Sequence, residues 1–339
     1  MLAYQILPGD NIDGLRSVNL PDRELGAGEV RVRVHAVSLN YRDLMVARGN
    51  YLVNVDDPII PCSDGAGEIL AVGHGVRRLQ VGDRVAASFF PYWTDGAPTP
   101  DKVRHALGGD IDGMLAQEVI LDEDALVKIP ARLSFVDAAT LPCAGVTAWN
   151  AIFVSRNDVK PGDTVLLLGT GGVSVLGLQL ANAAGMRTVI TSSSDAKLQR
   201  ARALGAHDTI NYRAMPEWHE EVLRVTHGAG ANVVLEVGGK GTVNRSVAAA
   251  SMGGSIAIIG GVSGFGGDVN PVMLLSSAKR MVGIFVGSRA MLEDVMRFAD
   301  VTGLKPVVDR VFTFDQAKEA YRYMESGSHF GKVVIAVAS

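Results

Sequence analysis

The sequence predicts an α/β protein of two parts, a partly open β-barrel and a doubly wound parallel sheet of six strands. Three observations carry this. Alternating apolar residues and glycine turns fill the first ~130 positions, the pattern of short sequential strands. From Ser134 the period lengthens, and after Pro161-Gly162 strands and helices alternate regularly. The stretch from Thr164 to Gly177, Thr-Val-Leu-Leu-Leu-Gly-Thr-Gly-Gly-Val-Ser-Val-Leu-Gly, takes an apolar strand straight through a glycine turn into an apolar helix.

Taken in order, the N-terminal Met-Leu-Ala-Tyr-Gln-Ile reads as a first strand, without the basic and cleavable features of a leader. Strands are expected over Glu29–Ser38, Gly67–Val72, Arg84–Ala87 and Leu115–Leu121, separated by turns such as Val81-Gly-Asp83. The segment from Phe89 to Met114 is long for a connection, a property of functional or flexible loops. Ser134 can cap a helix carrying Ala138, Leu141, Ala144 and Ala148. The six strands of the second part are expected at Thr164–Leu168, Arg187–Thr191, Asp208–Asn211, Asn232–Val237, Ser255–Ile259 and Met281–Phe285. Helices lie between them at Val173–Ala184, Asp195–Leu204, Pro216–Thr226 and Gly241–Ala250. A helix at Asp315–Glu325 and a strand at Lys332–Val337 close the chain. That strand has no following helix, so it is placed back in the barrel. The expected division is 1–130 with 288–339, and 131–287.

Composition excludes several function classes. A chain of 339 residues with 47% hydrophobic and 20% charged residues is that of a globular protein large enough for two cores. A formal charge of −4 gives no reason to expect nucleic acid or an anionic membrane. No apolar run reaches the ~18–20 residues that span a bilayer. Two cysteines, Cys62 and Cys143, make no disulfide framework, so a cytoplasmic location is the default.

The glycine turn carries the chemistry. Gly169 permits the turn; Gly171 and Gly172, with Val173, bring bare backbone N–H groups and a helix N-terminus to a pyrophosphate; Gly177 lets the helix lie close to the sheet. The second strand ends Val-Ile-Thr-Ser-Ser-Ser194 with no acid where NAD-preferring sites place a carboxylate about twenty residues after the first glycine. Hydroxyls of Ser192 and Ser193, with Lys197 one helical turn on and Tyr212 ending the third strand, suit a 2′-phosphate, so the expected cofactor is NADP. Lys197 as a solvated helix residue is the plainer alternative.

The chain resembles the medium-chain dehydrogenase/reductase superfamily over nearly its whole length. The marks are Asn40-Tyr-Arg-Asp43, Pro61-Cys-Ser-Asp-Gly-Ala-Gly67, Val81-Gly-Asp-Arg-Val85, Leu141-Pro142, Gly169–Gly177, Ala203-Leu-Gly-Ala206 and Gly331-Lys-Val-Val334. The resemblance implies a GroES-like barrel domain, a Rossmann domain and an active site in the cleft between them. It also implies a homodimer or homotetramer, with the edge strand Met281–Phe285 as a dimer contact. By position it adds Thr147, Gly238, Gly261, Val262, Phe285, Val286 and Lys332 as cofactor contacts.

Zinc alcohol dehydrogenases of this superfamily place a cysteine near position 40, Gly-His-Glu at 62–64 and a second cysteine at 143. Here Asn40 and Ser63 replace two of the three ligands and only Cys143 remains. One thiol does not hold a catalytic zinc. Phe89–Met114 has no cysteine for a structural zinc lobe, so no metal is expected, with an unusual site of Asp64, Cys62 and Cys143 as the alternative to two buried apolar cysteines. The sequence therefore looks like the zinc-free quinone oxidoreductase and enoyl reductase branches. The expected activity is NADPH-dependent reduction of quinones or activated C=C bonds. Alternatives are a carbonyl reductase or alcohol dehydrogenase of the same superfamily, and an NADPH-binding protein without catalysis. Asn40 is the candidate donor to an oxyanion and Tyr51 the candidate proton donor. Tyr41, Phe89, Trp93 and Phe265 are the candidate substrate walls, with packing beneath the long loop as the alternative for the aromatic cluster.

Overall fold

A computed structural model describes residues 1–51, 56–156, 158–266 and 268–337. The chain divides into two compact units, Met1–Val146 with Gly287–Ser339, and Thr147–Val286. Among the described residues no helix is long and apolar enough to cross a membrane.

The second unit is built on Thr164–Leu167, where Val165, Leu166 and Leu167 are completely buried. A run with no polar face needs cover on both sides, which only a central parallel strand provides. Arg187–Ser192 and Asp208–Asn211 lie to one side of it. Ala231–Glu236, Ala250–Ile258 and Arg280–Gly283 lie to the other. All neighbours are parallel, and the order along the sheet is third, second, first, fourth, fifth, sixth. This is the doubly wound Rossmann order, with its switch point at the first strand. Helices Gly172–Ala183, Asp195–Ala203, Trp218–Val225 and Val243–Ala249 make the crossovers.

Two strands depart from expectation. The fifth begins at Ala250, not Ser255, and runs through Ser251-Met-Gly-Gly, a stretch with no apolar alternation. Its register against the fourth strand shifts between Ala231 and Val233. The sixth ends at Gly283; Phe285 is half exposed and Val286 turns away at φ 52. The helix Pro271–Leu275 was not foreseen.

In the first unit, Glu29–Leu39 alternates as expected, with Val30, Val32 and Val34 fully buried. It pairs antiparallel with Asp64–Val72, Glu118–Asp122 and Lys332–Ala336. The last strand therefore does return to this unit, with Val333 opposite Leu39. Val308–Thr313 pairs parallel to it, and Arg84–Ala87 and Leu126–Lys128 complete the sheet.

Residues 131–146, expected in the second part, belong to the first unit. Phe135 stacks on His35 with ring centroids 4.3 Å apart and lies under the Arg84 guanidinium. The single helix expected after Ser134 is broken. Ser134 caps Phe135–Ala138, accepting from the Asp137 N–H at 3.1 Å, and π-helical turns follow at Leu141–Gly145 and Asn150–Val154. Pro142 has no N–H to continue an α ladder, and the turns widen there.

The long loop is ordered by the backbone it rejoins. Leu107 and Met114 are buried, Leu107 N–H donates to the Phe89 carbonyl, and Met114 N–H donates to the Cys62 carbonyl at 2.8 Å. Phe89 and Trp93 are each 2% exposed. They are core residues, which corrects the expectation that they line a pocket mouth. Phe89 meets Phe90 edge-on at 4.7 Å, and Trp93 Nε1 donates to the Gly96 carbonyl.

Candidate active site

The second unit holds the expected cofactor residues other than Lys332, with the glycine turn and Ser192 at the C-terminal ends of its strands. Gly169 turns the chain at φ 74, and helix Gly172–Ala183 starts from Gly171 with no side chain capping it. A Cβ built on Gly171 meets nothing within 4 Å, so the helix N-terminus opens onto free space. A Cβ on Gly177 lies 2.9 Å from both Leu167 and Leu235 side chains, the close helix–sheet packing expected of that position. This is a cradle suited to a dinucleotide pyrophosphate.

Ser192 ends the second strand, and its carbonyl accepts from Tyr212 N–H at 3.1 Å. Ser194 caps the next helix by accepting from Lys197 N–H. Ser193 and Lys197 are half-buried and Tyr212 is exposed. The only nearby acid of that helix start, Asp195, accepts from Asn211 Nδ2 at 2.7 Å. Thr147 is buried in this unit. Phe265 is largely exposed, with its ring laid against Gly261; Val262 beside it is exposed. The Val286 carbonyl accepts from Asn150 Nδ2.

One residue of this edge was missed. Glu236 is completely buried and accepts from Gly238 N–H at 2.7 Å, Gly239 N–H at 2.9 Å, Thr242 Oγ1 at 2.6 Å and Ser246 Oγ. It fixes the turn that carries Gly238. An acid closing an otherwise apolar strand was the available signal.

The first unit holds a buried polar cluster. Helix Tyr41–Ala47 begins at Asn40, whose N–H donates to Asp43 Oδ2 at 2.8 Å. Lys332 is 2% exposed; its ammonium donates to the Leu39 carbonyl at 2.8 Å and to Asn40 Oδ1 at 2.5 Å. That corrects the expectation that Lys332 reaches for the cofactor. The ammonium lies 3.9 Å from Asp64 Oδ2. Asp64 Oδ1 accepts from Ser63 Oγ, and Oδ2 accepts from Cys143 N–H at 3.2 Å. Cys62 is paired with the Tyr321 hydroxyl at 3.2 Å. Among the described residues no group of three or more His, Cys, Asp or Glu side chains is arranged to hold a metal ion.

Burial sets the protonation of this cluster. It pushes the Cys143 thiol up, assisted by Asp64, and it pushes Cys62 up as well. Asp64 is raised by burial against the pull of Lys332. Tyr51, partly buried, is raised by burial and held back by Arg42. Tyr41 faces outward and is exposed.

Asp43 is pushed up to about 6 by burial, opposed chiefly by Arg42. Its folded form therefore holds a proton that an unfolded chain releases near 3.8. The stabilisation is full below that value and is lost as pH rises through about 6, on the order of 3 kcal/mol. Asp43→Asn should thus gain stability relative to the parent between pH ~4 and ~7. Urea unfolding at both ends of that window measures it; a constant difference would refute the assignment.

Comparison with known proteins agrees with both units. Two protein-family profiles match, the alcohol dehydrogenase GroES-like domain over residues 26–131 and the zinc-binding dehydrogenase over residues 172–300. A zinc-type alcohol dehydrogenase-like protein of Schizosaccharomyces pombe is 44% identical over 345 residues, covering 99% of this chain and 100% of that one. Among solved structures, an NAD-dependent alcohol dehydrogenase superposes with TM-score 0.91 at 34% identity, covering 100% of each chain. A crotonyl-CoA carboxylase/reductase, AntE, in complex with NADP superposes with TM-score 0.88 at 27% identity, covering 99% of this chain and 94% of the other.

Proposed function

This chain belongs to the medium-chain dehydrogenase/reductase superfamily and is an oxidoreductase of that superfamily, and from this we propose that it reduces quinones or conjugated C=C bonds with NADPH and without a metal. The observation that carries the proposal is the Lys332 ammonium, buried between Asn40 and Asp64.

Zinc does not fit the residues present. The three ligand positions of the zinc relatives hold Asn40, Ser63 and Cys143. Asn40 Oδ1 is taken by Lys332 and Ser63 donates to Asp64, which leaves Cys143 as the one thiol among the three positions. A resident cation 3.9 Å from the nearest carboxylate oxygen repels a second one. The profile name and the zinc-type relative do not carry a zinc site over to these residues.

A nicotinamide cofactor does fit. Gly171, Gly172 and Val173 would hold its pyrophosphate at the open helix end. Ser192, Ser193, Lys197 and Tyr212 would read the adenosine phosphate. The second strand ends at Ser192 with no acid, and Asp195 beyond it accepts from Asn211, an arrangement that favours NADPH over NADH. Thr147, Gly238, Gly261, Val262, Phe285 and Val286 would contact the remainder. When bound, the reduced cofactor supplies a hydride. Without a Lewis acid to polarise a plain ketone, the acceptors that suit the site are those that spread the arriving charge by conjugation. In the first unit Asn40 would offer a donor to the charged oxygen, Tyr51 a proton and Tyr41 an apolar surface; Phe265 is a candidate apolar surface of the second unit. For the oligomer we propose a homodimer through the exposed edge strand Arg280–Gly283, flanked by Phe285 and Leu275, 50% and 82% exposed. A monomeric mass by ultracentrifugation would refute it.

The test is an acceptor panel of cyclohexenone, a naphthoquinone and cyclohexanone with NADPH and NADH, together with elemental analysis. Turnover of the first two with NADPH, unchanged by chelation, is the expected result. Preference for cyclohexanone, or stoichiometric zinc required for turnover, would establish the alcohol dehydrogenase reading. NADPH binding with no turnover of any acceptor would leave a binding protein.

A further inference from the structure

Among the described residues of the first unit, Arg42 is the buried side chain with the most donors left without a good hydrogen bond. It is 7% exposed, and its guanidinium lies 4.8 Å from the Tyr51 ring centroid and 4.9 Å from that of Phe89. Stacking between two rings fixes the plane of the group and leaves only its edges available. Nη1 donates to the Leu107 carbonyl at 2.7 Å. Asp43 Oδ1 is 3.6 Å from the same nitrogen, an ion pair too long for a hydrogen bond. Nε and Nη2 are buried without a hydrogen bond of good geometry, Tyr51 being a looser partner of the guanidinium, and Asn40 Nδ2, two residues away, is likewise buried with Asp64 as its looser partner.

Three buried donors without a good hydrogen bond within one helical turn are costly, because each has given up water for little in return. Nε and Nη2 share one edge of the guanidinium, the edge that presents two parallel N–H groups to an oxygen anion. Asn40 is oriented to match. Its Oδ1 accepts from Lys332, which fixes the plane of the amide and leaves Nδ2 as its donor. The Cys143 thiol feels the positive charge of both Lys332 and Arg42. The carboxylates near them, Asp43 and Asp64, are held by the Asn40 N–H and by Ser63 and Cys143.

We propose that the Nε–Nη2 edge of Arg42, with Asn40 Nδ2, is the binding site for the carbonyl oxygen of a conjugated acceptor, supplying in this chain the positive charge that a metal supplies in zinc enzymes. This rests on the reductase reading above. As hydride adds to the β-carbon, the C=C electron pair moves to the α-carbon and carbonyl, and the oxygen becomes an enolate. Arg42 holds that charge until the α-carbon takes a proton, so the acceptor gains one hydride and one proton and the nicotinamide is oxidised. The guanidinium stays protonated throughout.

The experiment uses an oxyanion probe as well as turnover. Para-nitrophenol, whose ionised form has its own visible absorbance, is titrated into the intact protein somewhat below its solution pKa. Binding should convert it to the phenolate. Arg42→Gln should abolish the conversion, and Arg42→Lys should restore part of it. With cyclohexenone and NADPH, Arg42→Gln should lower kcat by about 10²–10³ with little change in KM, the loss expected for an oxyanion donor. Phenolate binding that depends on Arg42 without turnover of any acceptor would uphold the site and sink the reductase reading. Turnover that survives Arg42→Gln within about threefold would sink the site and leave the reading standing. Melting curves and NADPH binding report whether the variants fold. If neither does, the parent spectrum decides, because a probe bound in its neutral form overturns the proposal.

Discussion

Gly171→Leu should leave the protein folded and remove its affinity for NADPH. The argument rests on where the new side chain would go. At φ −80 and ψ −174 the backbone of Gly171 is extended, a conformation open to any residue. Its Cβ would meet nothing within 4 Å. The expected stability loss is therefore confined to weaker capping of helix Gly172–Ala183, about 1 kcal/mol, equivalent to a few degrees in Tm. The space that Leu would fill is the space the pyrophosphate needs to reach the helix N–H groups. Loss of those contacts should raise the Kd for NADPH by about 100-fold, or ~3 kcal/mol. Calorimetric titration beside a melting curve measures both quantities. Gly177→Leu is the contrasting control. Its Cβ falls 2.9 Å from Leu167 and Leu235, so it should lose stability first. Unimpaired NADPH binding by a folded Gly171→Leu protein would remove the cradle from this account.

The two substitutions mark what the sequence could and could not disclose. The strand–glycine–helix stretch was legible because each residue type there answers to a local need: a turn, a bare backbone, a close approach. The six parallel strands were legible for the same reason, since a wholly apolar run such as Val165-Leu-Leu167 has few other ways to be buried. The return of Lys332–Ala336 to the first unit followed from topology alone. What failed was tertiary. Phe89 and Trp93 look like pocket walls by composition, and only the path of the loop, tied to Cys62 through Met114, makes them core. The break after Ala138 depends on Pro142 and on Phe135 finding His35 and Arg84. Arg42 stands in the sequence only as part of the Asn40–Asp43 mark, and nothing local gives it a role. Its meaning arises from two rings and a carbonyl, the carbonyl 65 positions away.

Lys332→Met should be the most destabilising conservative change in the first unit. Methionine fills much of the same volume, so packing is largely kept, and what is lost is a charge. In the parent, the ammonium satisfies the Leu39 carbonyl and Asn40 Oδ1 and stands 3.9 Å from a fully buried Asp64. Without it the carboxylate is left with hydrogen bonds from Ser63 and Cys143 but no opposing charge beside it, and Asn40 Oδ1 loses its donor. Stripping one partner from a buried ion pair costs about 3–5 kcal/mol, far above the value of a surface pair. Asp64→Asn should cost less, because the ammonium keeps two oxygen acceptors. The double variant Lys332→Met/Asp64→Asn should then be more stable than the sum of the single losses by about 1–3 kcal/mol, the mark of direct coupling. Urea unfolding of the four proteins closes the cycle. Additive losses would mean that Lys332 and Asp64 act independently, and a Lys332→Met protein within about 1 kcal/mol of the parent would mean that the ammonium is not the resident charge of this cluster. The proposed division of labour, with Lys332 orienting Asn40 and Arg42 meeting the acceptor's oxygen, needs that charge in place. Loss of the coupling would therefore leave Asn40 free to turn its amide, and with it the donor that the oxygen site requires.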